Sequence, residues 1–287
     1  MKIQEQAPAK INLALNILGR RTDGYHELRM VMQSVSLCDT VTVEETGTGF
    51  TLLADGFTVP AGKSSLEQQA AEAFFAAVGR PMPPLTVHLE KTTPAYAGLG
   101  GGSADVAALL RCLRRQYAPE MPMEQLRAIG LTVGSDMPFC VSGGTALAEG
   151  RGERLTALPA LPDCWIVLCK PEFGIPTPAL FTLADAGTPK NRPDIDGMIR
   201  ALSAEDLNGV AARLCNVFEE FLPEEYHEVF HIKNRLLELG ALNAAMSGSG
   251  PTVFGIFREE TAAKAAETAL KQCYPQTYLA KPVGELV

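Results

Sequence analysis

A glycine-rich segment, Pro94-Ala-Tyr-Ala-Gly-Leu-Gly-Gly-Gly-Ser103, is the clearest candidate for a phosphate-binding site. Four glycines fall between Gly98 and Gly102, and an apolar stretch with helical spacing follows as far as Tyr117. Glycine lets backbone N–H groups approach an anion closely, and a helix N-terminus adds unpaired N–H groups and about half a positive charge. We therefore expect a phosphate site, with a structural turn between a strand and a helix as the alternative.

A second polar pair lies near the start of the chain. Lys10 and Asn12 are two positions apart in an alternating segment, residues 10–18, that predicts a strand. Side chains two apart in a strand project from the same face, so an ammonium and an amide could share one pocket. The alternative is a surface lysine and an asparagine at a strand end. A turn at Asp23-Gly-Tyr-His26 then places an aromatic ring beside an imidazole, a pair suited to stacking on a base and bonding its edge.

Two later turns carry further polar groups. Gly134-Ser-Asp-Met-Pro-Phe139 places the Asp136 carboxylate at the predicted start of a short helix, where it could serve as a base or only as a helix cap. Met246-Ser-Gly-Ser-Gly-Pro-Thr252 is a second glycine and serine turn between two predicted strands. Such a turn could approach a nucleotide or be a plain connection.

A literal zinc-hydrolase motif, H-E-x-x-H, also occurs at His227, Glu228 and His231. The remaining histidines are His26 and His88, and no carboxylate has a context that marks it as a third ligand. A zinc hydrolase is therefore a remote alternative.

Composition limits the classes of function. The 287 residues carry 25 Lys and Arg against 33 Asp and Glu, a net charge of −8, which argues against a general nucleic-acid or acidic-membrane binder. No apolar run approaches the roughly 20 residues that span a bilayer, and the first residues lack a signal-peptide core. These features predict a cytoplasmic protein whose phosphate site is local.

The order of predicted elements favours an α+β protein of two domains. Strands and helices alternate as far as a proline-rich linker, Leu158-Pro-Ala-Leu-Pro162, and we place the domains at 1–158 and 159–287. A capping box at Ser64-Ser-Leu-Glu67 predicts a helix start, and residues 209–221 predict another helix.

Taken in order, the motifs resemble the GHMP superfamily of small-molecule kinases. The resemblance rests on Pro8-Ala-Lys-Ile-Asn-Leu13, the glycine-rich segment, Gly134 to Phe139, and Met246 to Thr252. Within the superfamily, three further segments are similar to kinases of 4-diphosphocytidyl-2-C-methyl-D-erythritol. They are Asp23-Gly-Tyr-His26, residues 171–181 and Asn216-Val-Phe-Glu219. The similarity covers essentially the whole chain.

The resemblance implies a two-domain α+β fold with its active site in the cleft between the domains. It implies transfer of the ATP γ-phosphoryl group to the 2-hydroxyl of the cytidyl diphosphate alcohol, in the non-mevalonate isoprenoid pathway. Asp136 would be the base, and Lys10 would offset developing charge. The ATP phosphates, with Mg²⁺, would lie along Pro94, Ala95, Tyr96, Ala97, Gly98, Leu99, Gly100, Gly101, Gly102, Ser103 and Ala104.

By the same resemblance, cytosine would be bound by Tyr25, His26 and Phe181, with Asn12 and Thr177 nearby. Ser103 is a candidate magnesium ligand, with no carboxylate identified beside it. Tyr96 and Ala97 occupy the leading part of this loop, where the family that the chain resembles often has glycine or another small residue, so we expect its entry to be shaped differently. A GHMP kinase of homoserine or mevalonate is the nearest alternative function.

Overall fold

The computed structural model describes residues 2–54, 57–58 and 64–286. Among these residues the strands form one sheet of eight strands and one of four. The strands are β1 (Lys2–Arg20), β2 (His26–Glu44), β3 (Phe50–Ala54), β4 (Phe57–Thr58), β5 (Leu85–Glu90), β6 (Thr145–Gly150), β7 (Arg154–Ala157), β8 (Trp165–Cys169), β9 (Cys215–Asn216), β10 (Asn243–Met246), β11 (Val253–Phe257) and β12 (Thr277–Ala280). The helices are α1 (Leu66–Ala77), α2 (Gly101–Tyr117), α3 (Met123–Leu131), α4 (Met137–Ser142), α5 (Thr177–Asp185), α6 (Ile195–Ser203), α7 (Leu207–Ala211), α8 (Glu228–Glu238) and α9 (Glu260–Lys271).

The larger sheet is built on a long antiparallel hairpin of β1 and β2, whose register runs from Lys2 opposite Glu44 to Arg20 opposite His26. The first half of β2 also pairs with β6 and its second half with β5, so the sheet divides along this one strand. Residues 7–16 of β1 are buried without a break, which is expected of a strand covered on both faces. Lys10 and Asn12 lie within that buried stretch.

Helix α2 packs against both strands of the hairpin. Its residues 104–113 are all buried, including Asp105 and Arg111, so the helix forms the centre of the first half of the chain. The guanidinium of Arg111 donates to the carbonyl oxygens of Cys140 and Gln6, both at 2.8 Å, which satisfies this buried cation without a carboxylate.

The smaller sheet has the order β10, β11, β8, β12, with every pair antiparallel. The chain then returns to the larger sheet: Ser36 N donates to Lys281 O at 2.8 Å, and Val283 N to Ser34 O at 2.9 Å. Strand β9 also pairs with β1 in parallel. Segments of the second half therefore hydrogen-bond to the first half, and the domain boundary at 158 and 159 stays a prediction.

Two local predictions were wrong in detail. Helix α1 is capped by Ser65, whose Oγ accepts from Gln68 N at 3.1 Å, and not by Ser64. The helix expected over 209–221 is interrupted by β9 and continues as a 3₁₀ turn over Val217–Phe221. The reason is Asn216, whose buried amide donates to two carbonyl oxygens in a distant turn and accepts from Phe218 N at 3.0 Å.

A buried ionic cluster holds the first turns of α2 to the end of β5. The Lys91 ammonium contacts Asp39, at 2.5 Å, and Asp105. The second Asp39 oxygen accepts from the backbone N–H groups of Thr92 and Thr93, at 2.6 and 2.7 Å. One oxygen of Asp105 has no hydrogen-bond partner within the ranges that the structure describes. Burial raises the pKa of the Asp105 carboxyl to about 7, although Lys91 opposes the shift.

This cluster predicts a stability that depends on pH. The folded chain disfavours the ionised form of Asp105, so the side chain stabilises the fold only while it is protonated. Its contribution to the free energy of unfolding is greatest below the pKa of an aspartate in the unfolded chain, and is lost as pH rises through about 7. Asp105→Asn removes the titration. In urea unfolding, the advantage of the wild type over this variant should fall from pH 5 to pH 8 by on the order of 2 kcal/mol. The exposed Asp163→Asn is the matched control, and a difference independent of pH for Asp105→Asn would contradict the prediction.

Candidate active site

The glycine-rich segment forms a turn that ends at the start of α2. Gly98 and Gly100 have φ of +74° and +67°, values that side-chain-bearing residues rarely adopt. The helix begins at Gly101, and its N-cap, Gly100, provides no side-chain hydrogen bond. The first N–H groups of α2 therefore lack a side-chain cap, as an anion site at a helix start requires.

This loop packs directly on the second glycine turn, residues 247–250 between β10 and β11. A Cβ at Gly98 would overlap the Ser247 carbonyl oxygen, so the backbones approach as closely as they do only because the residue is glycine. Ser247 Oγ donates to Gly98 O at 3.0 Å, and Thr252 N to Ala97 O at 3.3 Å. Elements of the two sheets thus meet at the predicted phosphate loop.

Lys10 lies beneath the loop and points toward Asp136. Its backbone N–H donates to Leu99 O at 2.9 Å, and its Nζ donates to Asn12 Oδ1 at 2.8 Å. The same Nζ lies 3.7 Å from Asp136 Oδ2. A Cβ at Gly100 would come within 3.0 Å of Lys10 Cγ, so the loop closes over the lysine stem. The structure therefore brings Lys10, Asn12 and Asp136 together, although they come from two distant parts of the sequence.

Asp136 occupies the N-cap position of α4 but makes no capping hydrogen bond. Its side chain is 36% exposed, whereas that of Lys10 is 6% exposed. The cap interpretation from sequence is thus not supported by the geometry. The carboxylate faces a buried cation on one side and remains accessible on the other, as a group that accepts a proton from a bound hydroxyl must be.

The predicted base-binding residues form a second group. His26 and Phe181 stack with ring centroids 4.3 Å apart and an interplanar angle of 18°, which leaves no room for a third ring between them. His26 Nε2 lies 2.7 Å from Asp185 Oδ1, a partner that sequence reasoning missed because no local pattern connects β2 to the end of α5. The adjacent Tyr25 is 52% exposed.

Thr177 joins the second glycine turn, since its Oγ1 lies 2.7 Å from Ser249 Oγ. The same turn is held from below by Asn216, whose Nδ2 donates to Met246 O and Gly248 O, each at 2.8 Å. Tyr96, at the start of the phosphate loop, has φ of +52° and is 85% exposed.

The zinc motif does not form a metal centre. Glu228 accepts a hydrogen bond from the Tyr274 hydroxyl, and the His227 ring packs edge-on against Phe230. Within the described ranges, no group of three His, Cys, Asp or Glu side chains could hold a metal ion.

In the same ranges no helix is both long and apolar enough to cross a membrane.

Comparisons with known proteins agree with the geometry. Residues 65–144 match the GHMP kinases N terminal domain, and residues 193–276 match the family GHMP kinases C terminal. A 4-diphosphocytidyl-2-C-methyl-D-erythritol kinase of Moorella thermoacetica is 41% identical, over 96% of this chain and 97% of that protein. One from Bacillus pumilus is 38% identical, over 99% and 98%.

Solved structures show the same fold. A crystal structure of 4-(cytidine 5'-diphospho)-2C-methyl-D-erythritol kinase superposes with a TM-score of 0.82 at 32% identity, covering 98% of this chain and all of that one. A homoserine kinase from Cytophaga hutchinsonii, at a TM-score of 0.75 and 17% identity over 99% of this chain and 95% of its own, shares the fold alone. The chain is a small-molecule kinase with the α+β GHMP fold, and it belongs to the 4-diphosphocytidyl-2-C-methyl-D-erythritol kinase family.

Proposed function

We propose that this chain transfers the γ-phosphoryl group of ATP to the 2-hydroxyl of 4-diphosphocytidyl-2-C-methyl-D-erythritol, a step in the synthesis of isoprenoid precursors. The observation that carries the proposal is the Lys10 and Asp136 pair, 3.7 Å apart and directly beside the glycine loop. The named relatives, which align over nearly the whole chain, support the choice of substrate.

The residues present fit ATP. Gly98 and Gly100 have positive φ, and an added Cβ at Gly102 would meet nothing within 4 Å, so the loop offers open backbone beside the start of α2. ATP would supply the phosphoryl group, and the backbone N–H groups of the loop would hold its phosphates. Ser103, in the first turn of α2, would offer its hydroxyl to the magnesium ion. Mg²⁺ commonly binds through nucleotide phosphates, waters and one or two carboxylates, so it would not need a cluster of three acidic side chains, and none occurs among the described residues.

At the acceptor, Asp136 would take the proton of the substrate hydroxyl as the new O–P bond forms. Lys10 cannot move freely, because Asn12 holds its ammonium and Gly100 packs on its stem. Its positive charge would therefore be in place to offset the charge that develops as phosphoryl transfer proceeds, with no reorganisation needed.

Cytosine would be recognised at the Tyr25, His26 and Phe181 group. His26 Nε2 is already held by Asp185, which leaves the other ring nitrogen for the edge of a base. His26 covers one face of the Phe181 ring. The exposed Tyr25 ring therefore offers more room for cytosine to stack. Homoserine or mevalonate carries no ring that would use this group.

A substrate screen tests the proposal. With ATP, the purified protein should phosphorylate 4-diphosphocytidyl-2-C-methyl-D-erythritol and leave homoserine and mevalonate unchanged, as measured by coupled ADP release and product mass. Turnover of homoserine or mevalonate without turnover of the cytidyl substrate would show the specificity to be wrong.

Asp136→Asn tests the base. The amide keeps the shape but cannot accept the proton, so kcat should fall by about 10²-fold or more while the dissociation constant of ATP stays within about twofold. Single-turnover phosphoryl transfer and calorimetric ATP binding measure the two effects. The exposed Asp163→Asn is the matched control, and undiminished kcat in the Asp136 variant would remove this residue from the role.

Lys10→Met tests the buried cation, since methionine keeps most of the volume but not the charge. We expect kcat to fall by about 10²-fold or more, because charge stabilisation lost in the transition state appears in kcat. Lys2→Met, on the same strand at a 69% exposed side chain, is the matched control. An effect confined to KM would make Lys10 a binding residue instead.

A further inference from the structure

A short turn lies near both Tyr25 and Asp136. Neither the motifs nor the resemblance singled it out. Residues 151–153 connect β6 to β7, and the guanidinium carbon of Arg151 lies 4.6 Å from the centroid of the Tyr25 ring. A Cβ at the next residue, Gly152, would lie 3.8 Å from Asp136 Oδ1. One short turn therefore lies beside both the aromatic residue proposed for cytosine and the carboxylate proposed for the acceptor hydroxyl.

The cation in this turn is unlike the arginines around it. Arg21 and Arg154 are both paired with Glu27, at 2.5 and 2.7 Å, and Arg29 is paired with Asp196 at 2.6 Å. In the ranges that the structure describes, the Arg151 guanidinium makes no hydrogen bond and no ion pair, and it lies over the Tyr25 ring.

The two carboxylates nearest in sequence do not pair with this cation. Glu149 lies 3.5 Å from the Arg29 guanidinium. Glu153 bends back along the turn, where its Oε2 accepts from the backbone N–H of Arg151 at 2.5 Å. The acid thus orders the turn's backbone and forms no ion pair with the guanidinium, whose charge also acts at longer range on the Asp23 carboxylate. A guanidinium without an ion pair attracts anions locally, even in a chain of net charge −8.

We propose that Arg151 binds the diphosphate group of the cytidyl substrate. The inference rests on the proposed function, because that substrate carries cytosine at one end and the reacting alcohol at the other, with the diphosphate between them. The turn follows the same order, since Arg151 lies over Tyr25 and the next residue, Gly152, lies beside Asp136. A guanidinium can donate two parallel hydrogen bonds to phosphate oxygens, and it can do so while its face rests on an aromatic ring.

A phosphate of ATP is the other source of the same chemistry. The glycine loop that would hold ATP contacts Lys10 and the 247–250 turn, whereas Arg151 contacts Tyr25. The observations therefore favour the substrate diphosphate, and the two sources give opposite kinetic results.

Steady-state kinetics of the full-length enzyme separate them. Arg151→Gln should raise KM for the cytidyl substrate by about tenfold or more, the usual cost of a lost charge-assisted bond, and leave KM for ATP within about twofold. Arg151→Lys should recover part of the loss. Arg154→Gln, on the same hairpin but paired with Glu27, is the matched control and should change neither KM. A rise in KM for ATP alone, or no rise in either, would overturn the proposal.

A binding measurement distinguishes phosphate recognition from mere support of Tyr25. The wild type should bind cytidine diphosphate more tightly than cytidine in calorimetry, and Arg151→Gln should lose most of that preference. Equal weakening of both ligands would mean that Arg151 only positions the ring, and would overturn the proposal. This comparison needs no turnover: an inactive wild type would count against the proposed function, while the ratio of the two affinities would still judge Arg151.

Discussion

The close approach of two glycine turns is the constraint on which the rest of this structure depends. One turn leads from the larger sheet into α2, the other joins two strands of the smaller sheet, and Gly98 lies against the backbone of Ser247. A side chain at Gly98 would force the two turns apart. Because Lys10 lies under the same loop, that separation would also uncover the cation and shift it relative to Asp136. The proposed binding surface and the proposed reacting groups therefore share one piece of backbone.

Buried polar side chains hold each side of this junction. Asn216 fixes the 247–250 turn through two carbonyl oxygens, and the cluster of Lys91, Asp39 and Asp105 fixes the start of α2. Such groups are costly to bury unless their partners are in place, so they favour one arrangement of the backbone over others of similar compactness. The loop can then remain open and rich in glycine without losing its position.

The sequence predicted the site better where the signal was local. The glycine loop, and the shared face of Lys10 and Asn12, follow from spacing alone, and the structure places these residues together. The pairing of His26 with Asp185 joins residues 159 positions apart, and no local pattern contains it. The helix predicted over 209–221 failed for the same reason, since the demand on Asn216 comes from a turn some 30 residues later.

The return of residues 281–286 to the larger sheet has a consequence for how the enzyme is made. Leu286 N donates to the carbonyl oxygen of Ser142, the last residue of α4, at 2.7 Å, and α4 is the short helix that begins just after Asp136. During synthesis from the N-terminus, the glycine loop, Lys10 and Asp136 all leave the ribosome long before Leu286 does. The helix that follows Asp136 thus gains this backbone partner only after residue 286 has been made, just as the glycine loop gains its contact with Ser247 only after the second glycine turn has been made.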